Sequence, residues 1–252
     1  QTHNSLFLIA HFHNVIIGGV LFGFFAGIAY WFPKVFGFVL DEKRGKYAFY
    51  FWVSGFYLAF MPLYPLGLMG AMRRNYHFEN LAFKPYLVVA AFGALLIFSG
   101  FLCQVWQIVY SIRHKEELRD KTGDPWDGRT MEWSLSSPAP FYNFAHIPNV
   151  NKIDDFWYKK QEWKAAGKGR PRPKTYEDIH MPRSTPVGFI LAVLAALVGF
   201  ALIWQMLILG ILGFLGIIVT IIWKSFDLDT DYYVKASEVE AIENAHYEEA
   251  KL

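Results

Sequence analysis

Five apolar runs constrain this chain more than any other feature: Ser5 to Phe32, Tyr47 to Gly70, Pro85 to Ile112, Pro186 to Trp204 and Leu207 to Trp223. Each is near the ~20 residues that a bilayer core requires. With 54% hydrophobic, 19% aromatic and 18% charged residues, and a positive mean hydropathy, the 252-residue chain reads as a membrane protein rather than a soluble enzyme. The expected fold class is therefore all-α: a polytopic transmembrane helical bundle of about five membrane-spanning helices with one long cytoplasmic loop.

Punctuation along the chain refines this layout. Pro33 disfavours continuation of the first helix and is expected to close it. Gly19, Gly23 and Gly27 form a small-residue ridge that would let a neighbouring helix approach closely. Pro62 and Pro65 predict a kink in the second span. The last two runs, separated by a short break around Gln205, predict a tight antiparallel hairpin, and Glu238 to Lys251 predicts a short exposed helix. The expected division is a three-helix segment over 1–112, a cytoplasmic loop over 113–185, a transmembrane hairpin over 186–224 and a cytoplasmic tail over 225–252. The chain starts at Gln1 rather than Met and shows no basic leader or cleavage pattern, so it reads as a fragment or processed piece of a larger protein.

Inside the first apolar run lies His11-Phe12-His13. Imidazoles in hydrocarbon need hydrogen-bond partners or a metal. Residues i and i+2 of a helix point about 200° apart, whereas a single metal held by two helical histidines needs them on one face. If both are ligands, they serve two different centres flanking one helix, and a planar cofactor bound through an axial imidazole fits that demand better than a bare ion. A pair of histidines hydrogen-bonded to neighbouring helices is the plain alternative.

Orientation follows from the charged loops. Lys34, Lys43, Arg44 and Lys46 between the first two spans, and the Lys and Arg residues near the ends of Arg113 to Arg183, place both segments on the cytoplasmic side together with the tail. His11 and His13 then lie in the outer half of the membrane. Arg73-Arg74 fall on the outer side, against the positive-inside rule. Paired guanidiniums suit carboxylates through bidentate, charge-assisted hydrogen bonds, and haem propionates are such carboxylates at the depth of the histidines.

These features together resemble a known family. Leu8-Ile9-Ala10-His11-Phe12-His13-Asn14, followed one span later by Arg73-Arg74, resembles subunit I of the haem–copper oxidase superfamily. Asp124-Pro125-Trp126-Asp127-Gly128-Arg129-Thr130-Met131-Glu132-Trp133 and Ser137-Pro138-Ala139-Pro140-Phe141-Tyr142-Asn143-Phe144 are similar to the cytoplasmic segment of the same family, and the likeness extends over essentially the whole chain. His11 to Gly19 and the final helix pair look most like the bo-type quinol oxidase branch.

The resemblance implies roles. His11 corresponds to the proximal ligand of a high-spin haem (o or a) at the oxygen-reducing site, and His13 to an axial ligand of a low-spin haem b. Phe12 would pack between the two, and Arg73 and Arg74 would bind haem propionates. Asn4 stands where the cytochrome c branch has the Asp of a His-Asp pair near magnesium, so His3-Asn4 is a poor magnesium site. The copper B ligands, the crosslinked His-Tyr pair, the second low-spin haem ligand, the quinol site and the proton-channel carboxylates belong to earlier helices of the family. The chain therefore reads as the C-terminal portion of subunit I. Its implied partners are the N-terminal portion of subunit I, oxidase subunits II, III and IV, quinol and membrane lipid. The implied location is the bacterial inner membrane, and the implied reaction is reduction of O2 to water by quinol, coupled to proton translocation.

The remaining polar residues read plainly. His77, His114, His146, His180 and His246, and the strip Asp227, Asp229 and Asp231, are expected to be solvated. Cys103 is expected to be an inert thiol in an apolar run. Trp126 and Trp133 are expected to anchor the long loop on the helix ends, and Lys164 to Lys174 to lie near anionic lipid or a partner subunit. No Gly-rich phosphate loop, nucleophile triad or nucleic-acid-binding pattern is present. The alternatives are a cytochrome c oxidase of the same superfamily, or a haem-free transporter or scaffold subunit whose intramembrane histidines relay protons.

Overall fold

A computed structural model describes residues 2–167, 171, 173 and 175–249. Of the basic loop segment, Lys168, Arg170, Arg172 and Lys174 lie outside the described residues, as does Lys251 of the tail. The chain divides into two compact units, one of Gln1–Asn143, Asn149–Arg170 and Glu248–Leu252, the other of Phe144–Pro148 and Pro171–Tyr247. Four helical stretches, Leu6–Phe36, Glu42–Leu68, Leu81–Arg113 and Leu207–Ser225, are long and apolar enough to cross a membrane, and Val187–Ile203 is a shorter apolar helix of 17 residues. The chain is a helical integral membrane protein.

In the first unit, α1 (Leu6–His13) passes through a π-helical segment (Asn14–Leu21) into α2 (Phe22–Phe36). The helix does not stop at Pro33. It runs one residue short of Gly37, whose φ of +80° and amide bond to the Pro33 carbonyl (2.8 Å) end it. A proline so close to a terminus costs little helix, and the true stop is a glycine in the left-handed region. The next helix, α3 (Glu42–Phe60), starts at Asp41, whose carboxylate accepts from the Arg44 amide at 2.8 Å. It breaks at Met61-Pro62 before α4 (Leu63–Leu68), as the prolines predict. The long helix α5 (Lys84–Arg113) packs along α3.

That packing depends on two glycines. A Cβ on Gly93 would lie 2.2 Å from the Ala59 nitrogen, and one on Gly55 2.6 Å from the Ile97 nitrogen. The ridge of Gly19, Gly23 and Gly27, by contrast, meets nothing within 4 Å among the described residues.

The connection after α5 is folded back onto the end of α2. Trp126 Nε1 donates to the Tyr30 carbonyl (2.9 Å), and Trp133 Nε1 donates to the Tyr30 hydroxyl (2.8 Å) while stacking on Trp31. Both tryptophans thus act as the anchors the sequence suggested. Lys34, read only as a topological charge, is buried beneath them. Its ammonium donates to the carbonyls of Gly123 and Leu135 (2.6 Å each) and Ser136 (3.2 Å). A second lysine, Lys160 of α6 (Asp155–Ala165), donates to Asp124 (2.8 Å) and the Gly128 carbonyl (2.6 Å) and pairs with Asp127.

In the second unit, α7 (Val187–Ile203) and α8 (Leu207–Ser225) form the expected antiparallel hairpin, turning at Gln205 with φ +55°. A two-stranded antiparallel ladder closes its base: β1 (Ile179–Pro182) pairs with β2 (Asp231–Val234), with His180 opposite Tyr233. The tail helix α9 (Ala236–Glu249) follows, its first amide donating to Asp178 Oδ1 at 2.8 Å.

Candidate functional site

The site is built where the start of α1 meets the turn after α4. Leu6 N donates to the Ala71 carbonyl (2.9 Å) and Arg73 N to the Asn4 carbonyl (3.0 Å), an isolated antiparallel bridge that seats Arg73-Arg74 at the head of α1. Gly67 permits this closeness, since a Cβ there would fall 2.2 Å from the Phe7 nitrogen. Leu66, Ala71 and Phe83 form a core beneath the bridge. The turn carries Gly70 at φ +89° and Arg74 at φ +67°. A non-glycine residue held in the left-handed region costs of order 1 kcal/mol and marks a conformation fixed by its surroundings.

Among the described residues neither guanidinium meets a carboxylate. Arg73 is half-buried and Arg74 exposed, and neither forms an ion pair or side-chain hydrogen bond among the described residues. His11 and His13 sit roughly 7 and 10 Å below the helix start, at 1.5 Å of rise per residue. The arginines thus sit at the N-terminal end of α1, His11 lies farther along the same helix, and His13 is its last residue.

The two histidines differ in environment. His13 Nδ1 lies 2.7 Å from the Ile9 carbonyl, which can only accept, so Nδ1 donates and Nε2 is the ring nitrogen left for another partner. Its ring stacks on Phe60 of α3, centroids 4.3 Å apart and planes 14° apart. His11 is exposed and makes no hydrogen bond among the described residues; the Phe12 ring, itself exposed, lies 6.3 Å away. Next to His13, Asn14 Nδ2 donates to the Ala10 carbonyl (2.8 Å) and the Tyr64 hydroxyl (3.2 Å) at the start of the π-helical segment. Such segments recur at functional sites.

This donor set suits two separate centres with one imidazole each. No group of three or more His, Cys, Asp and Glu side chains converges on a point among the described residues, as a bare ion requires. The residues present would suit planar, carboxylate-bearing cofactors: His13 and His11 could each offer an imidazole, and Arg73 and Arg74, without ion pairs among the described residues, could meet carboxylates.

The other polar residues are more engaged than the sequence suggested. His114 stacks on Tyr110 at 3.9 Å, and His146 lies against Tyr176 at 5.6 Å. His180 hydrogen-bonds Asp231 and stacks on Tyr233 at 4.8 Å. His246 Nδ1 is buried, while His77 stays exposed beside Tyr76. The aspartate strip is exposed, but each member has a side-chain partner: Lys224 for Asp227, Arg183 for Asp229 and the His180 ring for Asp231. Phe60 carried no sequence signal, since an aromatic among aromatics stands out only when its neighbours are known.

Known proteins resemble this chain in sequence. Residues 1–96 match the family described as cytochrome c and quinol oxidase polypeptide I. The chain is 52% identical to cytochrome bo(3) ubiquinol oxidase subunit 1 of Buchnera aphidicola subsp. Schizaphis graminum, over 98% of this chain and 37% of that protein. It is 51% identical to ubiquinol oxidase subunit 1 of Acetobacter aceti, over 97% of this chain and 37% of that protein. It is 50% identical to a protein of Bradyrhizobium diazoefficiens named probable cytochrome c oxidase subunit 1, over 99% of this chain and 37% of that protein. The chain thus spans 37% of the length of these curated relatives. With identity of this order along nearly its whole length, the chain belongs to the cytochrome c and quinol oxidase polypeptide I family, subunit I of the haem–copper oxidases.

Proposed function

We propose that the chain is the C-terminal portion of the subunit I of a respiratory terminal oxidase that reduces O2 to water with electrons from quinol and couples this to proton translocation. The observation that carries the reading is the pairing of His11 and His13 at i and i+2 with an Arg73-Arg74 couple whose Arg73 amide donates to the Asn4 carbonyl just before the same helix. In this reading His13 would hold the low-spin haem b through Nε2, His11 would hold the high-spin haem, o or a, and the ligands of copper B would come from outside this chain. Arg73 and Arg74 neutralise propionates. The haems, when bound, supply the electron-carrying and oxygen-binding chemistry.

What this chain contributes is geometry and electrostatics. One rigid helix carrying both ligands fixes the spacing of the two centres, and the Ile9 carbonyl sets the His13 tautomer. The working assembly includes the N-terminal portion of subunit I and oxidase subunits II, III and IV, in a bacterial inner membrane with the long loop and tail cytoplasmic. Lys34, Lys43, Arg44 and Lys46 support that orientation. A second donor, cytochrome c, is favoured by the Bradyrhizobium relative's name alone. Oxidation by the purified complex of a soluble ubiquinol, and not of reduced cytochrome c, decides for quinol.

The test is the visible spectrum of that complex. His13→Ala is expected to remove the low-spin haem band, and His11→Ala to perturb chiefly the carbon-monoxide difference spectrum of the oxygen-binding haem. A variant that leaves both spectra intact overturns the role given to that residue. A complex without a Soret band overturns the reading as a whole in favour of a haem-free transporter.

A further inference from the structure

Imidazole planes are weakly set by the backbone, because the χ2 torsion of histidine is broad. At His13 two contacts act on the ring. The hydrogen bond from Nδ1 to the Ile9 carbonyl (2.7 Å) fixes where one edge points. A hydrogen bond tolerates tens of degrees of bending, so it leaves the ring free to swing out of its own plane. The second contact blocks that swing: Phe60 lies flat on the face of the imidazole, 14° from parallel, with the centroids 4.3 Å apart.

Phe60 is itself held by a packed series. Its ring touches Phe56 at 5.8 Å; Phe56 is only 4% exposed and meets Phe22 edge-on at 5.4 Å. Phe56 reaches the π-helical segment because residue 18 is glycine, where a Cβ would come within 3.3 Å of the Phe56 ring. Behind it α3 is fixed to α5 at the Gly55 and Gly93 contact, next to Ala59. The rigid helix pair thus ends in a flat surface against one face of His13.

We propose that Phe60 is a positioning residue for the His13 ligand: its stacked ring sets the plane of the imidazole on the low-spin haem. The inference rests on the reading of His13 as an axial ligand. The plane matters because the imidazole π system overlaps the metal orbital perpendicular to the ring, so rotating the ring changes the electronic anisotropy of the centre and its potential without changing the ligand.

The test uses the complete purified oxidase complex, with low-temperature electron paramagnetic resonance of the oxidised low-spin haem and a redox titration of its absorption band. Phe60→Leu keeps an apolar side chain but removes the flat surface. It is expected to shift and broaden the largest g-value and to shift the midpoint potential, with haem content and the carbon-monoxide difference spectrum unchanged. Phe60→Tyr keeps the ring and is expected to retain the parent values. A Phe60→Leu signal at the parent g-value and potential overturns the proposal, as does a Phe60→Tyr signal displaced as far as that of Phe60→Leu. If Phe60→Leu does not assemble, Phe60→Met, which fills irregular space without a plane, is read by the same criteria. His13→Ala separates the two levels. If it leaves the low-spin signal in place, the ligand assignment is wrong. If it removes that signal while Phe60→Leu changes nothing, only the positioning role fails.

Discussion

Lys34 shows how much of this molecule hangs on single side chains that a sequence presents as ordinary. Its charge is buried and met by three backbone carbonyls, those of Gly123, Leu135 and Ser136, each contributed by the connection that follows α5. Hydrogen bonds to a charged donor are worth more than neutral ones, and carbonyls left without a donor inside a folded segment are costly. Lys34→Met, which keeps the stem and removes the ammonium, is therefore expected to destabilise docking of this segment by about 2–4 kcal/mol. Amide exchange over residues 120–137 should accelerate by roughly one to three orders of magnitude; unchanged exchange would show that the tryptophan anchors hold the segment without the lysine. From the sequence, Lys34 was legible only as a charge near a helix end. Its carbonyl partners lie about a hundred residues away, and no local pattern announces them. His11 and His13 stand out in the sequence because imidazoles are costly in an apolar run, and Arg73 and Arg74 because they break the charge rule for outer loops; both signals are visible without coordinates.

At the scale of helices, hydropathy located the four stretches long and apolar enough to cross a membrane, because length and apolarity are what a bilayer selects, while the fifth expected span is the shorter apolar helix Val187–Ile203. What it missed were the joints. The π-helical segment Asn14–Leu21 has no sequence marker, and Pro33 was expected to end a helix that in fact runs on to Phe36, where Gly37 supplies the stop. The close helix contact was also misplaced. Spacing drew attention to Gly19, Gly23 and Gly27, whereas the glycines whose added Cβ would come within 3 Å of backbone across the α3–α5 contact are Gly55 and Gly93. Spacing tells which glycines share a helix face but not which face finds a neighbour. At Gly93 an added methyl would meet the Leu58 and Ala59 backbone at 2.5 and 2.2 Å, and backbone has nowhere to swing. Gly93→Ala should force α3 away from α5 and cost at least about 1–3 kcal/mol. Gly18→Ala, whose methyl meets only the end of the Phe56 ring at 3.3 Å, should cost less. Thermal denaturation midpoints of the complex carrying each variant test the order. A Gly93→Ala midpoint at or above that of Gly18→Ala would show that the helices separate freely.

Over the whole molecule the net charge of +2 conceals a segregation of charge into ion-paired segments outside the spans. In the loop, hydrogen bonds from Lys160 and Lys164 hold the Asp127 carboxyl below its ordinary range, and Lys159 does the same for Asp155. Burial pushes the Lys160 ammonium down, but its bonds to Asp124 and Asp127 outweigh this and leave it raised. At the base of the α7–α8 hairpin, Lys224 lowers Asp227 and His180 lowers Asp231. The signs fix a window. A carboxylate with a depressed folded pKa stabilises the fold above the unfolded value of about 3.9, and that contribution disappears as pH falls through the folded value. An ammonium with a raised folded pKa contributes fully below about 10.4, and its contribution is lost as pH rises through the folded value. Both segments should therefore stay ordered from roughly pH 4 to pH 10, with Lys160 adding an alkaline limit to the loop. A nitroxide label on Gln161→Cys, in a Cys103→Ser background, reports the loop, and one on Leu228→Cys reports the hairpin base. Both should mobilise below about pH 4, and the loop label again above about pH 10. Replacing Lys160 with Arg, which stays charged throughout this range, should carry the alkaline limit of the loop upward. Labels equally mobile from acid to alkali would mean that these pairs are ordered by the surrounding packing and not by their charges.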